Sequence, residues 1–162
     1  MNDRVRAVVI YPPEPLATIV ERFRRIHDPE SARAIRGHVT VAHTMTAEQE
    51  SRLPSLRGTG PFRLGIDGLV ALGFAPTVHG TGLRIVDLDG GLARVSATIG
   101  FPMSTLPHLT LLYPGHSTGA EQQRSVNEAA AALALPREFV ATELTLCEER
   151  DGTWFDLERC VL

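Results

Sequence analysis

Leu106-Pro107-His108-Leu109-Thr110-Leu111-Leu112-Tyr113-Pro114 is the stretch that decides the fold, because its centre recurs upstream in Gly37-His38-Val39-Thr40-Val41-Ala42-His43. The shared tetrad is histidine, apolar, threonine, apolar: His38-Val39-Thr40-Val41 and His108-Leu109-Thr110-Leu111. Both copies lie in short β-branched or leucine-rich runs bounded by glycine or proline, which is strand patterning. Successive side chains on a strand face opposite ways. His38 and Thr40 therefore share one face and Val39 and Val41 the other, and the second tetrad divides in the same way. Each strand has an apolar face to bury and offers one imidazole beside one hydroxyl.

Two imidazoles and two hydroxyls suit acid/base chemistry on a tetrahedral anion. With an ordinary pKa of about 6.5, one ring can be a neutral base while the other is a protonated acid. Threonine hydroxyls can donate to non-bridging phosphate oxygens, where charge concentrates in the transition state. The scheme needs no metal and no cofactor.

A duplicated His-x-Thr-x motif with each copy on a strand resembles the 2H phosphoesterase superfamily, which includes 2′-5′ RNA ligase-like proteins and cyclic nucleotide phosphodiesterases. The form Pro107-His108-Leu109-Thr110-Leu111-Leu112-Tyr113 is especially similar to that family's pattern. The resemblance implies an α+β fold of two pseudo-symmetric lobes, with two antiparallel sheets lining a central cleft and helices outside. It also implies a substrate class: a 2′,3′-cyclic phosphate or a 2′-5′ phosphodiester of a nucleotide or RNA end. His38 and His108 are then the catalytic pair, and Thr40 and Thr110 hold the phosphate. Which histidine is the base stays open, since microscopic reversibility exchanges the roles between hydrolysis and ligation. The alternative is a nucleotide- or phosphate-binding module, a repurposed fold with little turnover.

The 162 residues suffice for one domain with a real core, and the composition, 43% hydrophobic and 22% charged, is that of an ordinary globular protein. A net charge of −3 argues against coating long nucleic acid by bulk electrostatics, but accommodates a nucleotide or an RNA terminus. All 16 basic residues are arginine, which excludes a lysine nucleophile and leaves guanidinium groups as the cationic anion ligands. Arg36, in the same alternation as His38, is a candidate phosphate contact, with Arg33 and Arg84 behind it. Tyr113 falls in the opposite alternation from His108 and reaches a substrate base only if the ending strand turns it to the cleft rim.

The other histidines read as structural. His43 lies opposite His38 on a regular strand, His27 sits at a helix end and His79 lies within Val78-His79-Gly80-Thr81-Gly82, while His116 follows Pro114-Gly115 in a loop near the expected mouth, where it reads as solvated but could touch substrate. No histidine pair has helical metal-binding spacing and no Cys-His framework occurs, so no metal site is expected. Cys147 and Cys160 flank a turn at Asp151-Gly152 whose centre pairs Cys147 with about position 156, which argues against a disulfide and for a reduced, cytoplasmic protein. The apolar run Ala7 to Ile10 is too short for a signal-peptide core, and no stretch is long enough to span a membrane. A monomer without an obligate protein partner is the expectation.

In chain order, Val5 to Tyr11 is a strand and Leu16 to Ile26 a helix that Asp28-Pro29 stops. Thr46 to Gln49 is a capping box, and Phe62 to Phe74 a strand bent at its glycines. Leu83 to Leu88 follows as a strand after a turn at Gly80-Thr81-Gly82. Asp89 caps a helix carrying Leu92, Val95 and Ile99. Thr118 to Glu121 is a second capping box, opening a helix that ends before Pro136, and Phe139 to Leu162 is a hairpin. Each half reads strand, helix, His-x-Thr strand, capped helix, strand. This internal duplication makes residues 1–162 a single bilobal domain.

Overall fold

The computed structural model describes residues 4–73, 79–116 and 119–162. The elements, in order, are β1 (Arg6–Ile10), α1 (Leu16–His27), α2 (Pro29–Ala34), β2 (Val39–His43), α3 (Ala47–Ser51), a 3-10 turn (Leu53–Leu56), β3 (Phe62–Leu72), β4 (Gly80–Asp87), α4 (Gly91–Ile99), β5 (His108–Leu112), α5 (Ala120–Ala131), β6 (Glu138–Ala141), β7 (Glu143–Arg150) and β8 (Thr153–Val161). Among the described residues, no helix is long and apolar enough to cross a membrane.

The class is α+β, but the two expected sheets are one. Among the described residues, eight strands join in the order β6-β3-β4-β5-β2-β1-β7-β8, with antiparallel pairing throughout. The two four-stranded halves meet at a single pair, Val39 opposite Leu109. The sequence halves also exchange strands. β3, the last strand of the first half, pairs with β4 and β6, while β7 returns to pair with β1. Neither half completes its part of the sheet alone, so the two lobes are interlocked by hydrogen bonding. The single strand expected from Phe139 onward is split at Thr142, where the chain leaves β3 for β1.

Local signals set most of the helices. Thr46 and Gln49 form the expected capping box at α3. Asp28-Pro29 ends α1 and also starts α2, a helix absent from the sequence reading: Asp28 is the N-cap, accepting from Ser31 N, and Pro29 stands in the first turn. Asp89 accepts from Gly91 N at 3.3 Å, although the N-cap residue of α4 is Gly90. The capping box expected at Thr118 and the strand end expected at Phe74 lie outside the described residues. Gly80-Thr81-Gly82 belongs to β4 rather than to a turn before it. The predicted bend in β3 is a register shift between Ile66 and Leu69, at Gly68 with φ +78°.

The main core lies between the sheet and the helices and is built on Ile10, Val20, Leu64, Leu83, Leu109 and Leu111. Gly91 opens α4 directly against it: a Cβ there would meet Phe62 Cβ and Cγ at 2.1 Å. Gly91→Ala is expected to destabilise the protein by about 1–3 kcal/mol through overpacking. Urea unfolding checks this; an unchanged midpoint would mean that α4 can shift outward freely.

Cys147 pairs with Asp156, the register the turn spacing predicts, and beyond a register shift between Leu146 and Cys147 Cys160 pairs with Leu144. Both cysteines are free and buried, and burial pushes the Cys147 thiol up to about 11.

Candidate active site

Val39 and Leu109 are fully buried on the core side of the two central strands. Alternation then places His38, Thr40, His108 and Thr110 on the opposite face. All four line one cavity of about 650 Å³. Extending the Val39–Leu109 register sets His38 opposite Thr110 and Thr40 opposite His108, a crossed arrangement about a local twofold.

Both imidazoles are held the same way. His38 Nδ1 lies 2.8 Å from the Arg36 carbonyl, and His108 Nδ1 lies 2.9 Å from that of Leu106. A carbonyl oxygen only accepts, so each Nδ1 carries the hydrogen. In the neutral ring the lone pair is then on Nε2.

His38 is also set apart electrostatically. Burial pushes its pKa down to about 4; the Arg36 carbonyl pulls the other way, while Arg24 and His108 add to the depression. A ring with that value is neutral, and able to accept a proton, throughout the physiological range. Because the folded value lies below the unfolded ~6.5, the linked stability is complete at neutral pH and is lost as pH falls from about 6.5 toward the folded value. An NMR titration of the His38 ring is expected to have its midpoint near 4. An ordinary midpoint would show a water-accessible ring.

Matched bulges shape the rest of the cleft. β1 pairs Val8 with Ala42 and Val9 with Thr40, and β4 pairs Thr81 with Leu112 and Gly82 with Thr110. Val41 and Leu111, the fourth residues of the two tetrads, are thus each an extra residue in their strand. A bulge reverses the alternation beyond it. The third residue after each threonine, His43 in one strand and Tyr113 in the other, consequently lines the cavity. His43 is therefore not turned away from the cleft as a regular strand required. Tyr113 stands at the rim, 53% exposed.

His116 is not a solvated loop residue. It lines the cavity, and its Nδ1 lies 2.9 Å from Asp28 Oδ1. Asp28, 2% exposed, also accepts from the Tyr113 amide at 2.7 Å and the Ser31 amide at 3.2 Å. One carboxylate thus joins the α1–α2 corner to the segment after β5. Burial pushes its pKa up, but the Tyr113 amide, His116 and the Ser31 amide outweigh that and hold it below the ordinary carboxylate value.

Arg36 does not line the cavity. Its guanidinium lies 3.7 Å above the Tyr11 ring and donates to Asp156 Oδ2 at 2.7 Å. Arg84 is exposed on β4, 3.9 Å from Asp67. Arg33 lines the cavity. His27 packs on Phe23, and His79 Nδ1 meets Gln123, both outside the cleft.

Sequence reasoning missed Arg24, Asp28 and Trp154. Arg24 takes the buried position four residues beyond Val20 on α1 while Ile26 is 67% exposed, a phase that apolar spacing alone did not give. Asp28 carried a readable signal, since an aspartate before proline is a helix N-cap pattern. Trp154 lines the cavity from β8, its ring 5.8 Å from that of His43. Among the described residues, no group of His, Cys, Asp or Glu is arranged to hold a metal ion.

No family model matches the sequence, and no curated protein matches it. Solved structures match over almost the whole chain. Escherichia coli LigT in apo form superposes with a TM-score of 0.60 at 21% identity, covering 98% of this chain and 97% of that one. TT0787 of Thermus thermophilus gives 0.61 at 17% identity, with 98% and 97% covered. Kluyveromyces marxianus Usb1 gives 0.51 at 11% identity, with 94% and 97% covered. The chain has the 2H phosphoesterase fold. In this 2H fold the two tetrads occupy the two central strands, so the cavity described above lies on the junction of the lobes.

Proposed function

We propose that this protein is a phosphodiesterase acting on a 2′,3′-cyclic phosphate or a 2′-5′ phosphodiester of a nucleotide or RNA end. The observation that carries this reading is the pair of Nδ1-anchored histidines, each with its threonine, facing one cavity from adjacent central strands. Further support comes from LigT crystallised with phosphate, with ATP and with 3′-AMP, and from Usb1 crystallised with uridine monophosphate.

In the proposed reaction, His38 Nε2 removes the proton from the attacking water or ribose hydroxyl, the role suited to a ring neutral down to about pH 4. His108 gives a proton to the leaving ribose oxygen. Thr40 and Thr110 donate to the non-bridging oxygens as charge builds on them. Tyr113, Trp154 and His43 give the cavity flat faces on which a base can stack.

The test is a product assay with a panel of 2′,3′-cyclic nucleotides and 2′-5′ dinucleotides in the presence of chelator. Conversion to a monophosphate supports the reading, and the position of the phosphate shows which ribose–oxygen bond is cut. Saturable nucleotide binding with no product at any pH between about 5 and 8 would make the cleft a binding site.

A further inference from the structure

The two histidines are anchored alike at Nδ1 but differ one step further back. The oxygen that accepts from His38 belongs to the peptide unit joining Arg36 to Gly37, and the N–H of that same unit donates to Glu21 Oε1 at 2.5 Å. A peptide unit is planar, so holding its N–H fixes the direction of its C=O. A carboxylate accepting from the N–H also polarises the unit and makes the carbonyl a stronger acceptor. Behind His108 the corresponding unit joins Leu106 to Pro107, and proline has no N–H.

The carboxylate is itself secured. Arg24 Nη1 donates to Glu21 Oε1 at 3.0 Å and to the Ile35 carbonyl at 2.8 Å. Arg24 is 2% exposed, so this pair is tied into the buried side of α1. Gly37 permits the approach: a Cβ there would come within 2.5 Å of Val20 Cγ1. The chain entering β2 is therefore pinned to α1 on both sides of the Arg36 carbonyl.

We propose that Glu21 is a positioning residue for His38, acting through the Arg36–Gly37 peptide, with Arg24 holding Glu21 in place. The order is carboxylate, peptide, imidazole. When His38 takes a proton at Nε2, its Nδ1–H becomes a stronger donor, and the polarised carbonyl together with the Glu21 charge stabilises the imidazolium. Proline at 107 denies His108 the same support, so the relay distinguishes two rings that the local twofold makes equivalent. In its rate readout the proposal rests on the reaction given above; in its ring geometry it does not.

The groups facing His38 are Glu21 and Arg24 from α1, His108 from β5, and the Tyr11 ring, one residue beyond β1, at 6.4 Å, with Arg36 and Asp156 behind that ring. The experiment is ¹⁵N NMR of both imidazoles in the full chain, for the parent and for Glu21→Gln, which keeps an oxygen acceptor but removes the charge. Both parent rings are expected as Nδ1–H tautomers. In Glu21→Gln, His38 is expected to shift toward a tautomer mixture with a lower titration midpoint, while the His108 resonances stay in place. On a substrate that turns over, kcat is expected to fall about 10-fold to 100-fold with KM nearly unchanged. Where the unpaired Arg24 charge prevents folding, Glu21→Gln with Arg24→Met removes both charges and is read by the tautomer alone. Parent-like His38 nitrogen shifts in the folded variant overturn the relay. The expected shifts in a protein that hydrolyses nothing support the relay and overturn the reaction instead.

Discussion

Alanine at either His38 or His108 is expected to lower kcat by about 10²–10⁴-fold, with the double variant close to the worse single one because both rings serve one transition state in the proposed reaction. The roles separate by leaving group. A nitrophenyl phosphodiester leaves without needing a proton, so it should recover much of the rate lost in His108→Ala and little of that lost in His38→Ala. This follows from the proposed roles, in which His38, its pKa pushed down to about 4 by burial, accepts the proton and His108 donates one. Recovery of His38→Ala instead would reverse the assignment, and a full rate in one single variant would remove the shared-site mechanism altogether. Circular dichroism of the variants separates loss of chemistry from loss of fold.

The largest effect on stability is expected at Asp28. Its carboxylate accepts from Ser31 N, Tyr113 N and His116 Nδ1 while almost fully buried. Asp28→Ala leaves two backbone donors and an imidazole without their acceptor and is expected to cost about 3–5 kcal/mol, read as a lowered urea midpoint. Because the folded carboxyl pKa is lowered, its contribution is complete above the unfolded value of about 3.9 and disappears as pH falls through the folded value. The acid limb of the parent's stability curve should therefore flatten in Asp28→Ala. The same variant releases Tyr113 and His116 from one side of the cleft, so KM is expected to rise even in molecules that remain folded. A variant with parent-like stability would mean that water replaces the carboxylate at this corner.

The strand exchange explains how a duplicated order of elements gives a single sheet. The first half of the chain places β1 and β2 in one half of the sheet and β3 in the other, beside β4, while the second half places β4, β5 and β6 together and sends β7 and β8 across to β1. The lobes therefore cannot open about a free linker. The tetrad-bearing strands β2 and β5, joined at Val39 and Leu109, sit at the centre of the sheet, where its two halves meet.

What the sequence determined by itself is what depends on neighbours along the chain. Alternation in His38-Val39-Thr40-Val41 and His108-Leu109-Thr110-Leu111 dictates which side chains share a face, because a strand has period two. The Thr46–Gln49 capping box and the pairing of Cys147 with Asp156 across the Asp151-Gly152 turn are equally local, and both are present in the fold. Only the tertiary structure decided the rest. The bulges at Val41 and Leu111 arise from pairing with β1 and β4, and they turn His43 and Tyr113 into the cleft against the regular period. Arg36 is drawn to Tyr11 and to Asp156, 120 residues away, while Arg24 goes inward to Glu21 and Ile35. Asp28 finds His116 across 88 residues. A side chain's period is encoded locally, but its partner is supplied by whichever distant segment the packing brings within hydrogen-bond reach, and no local pattern carries that information.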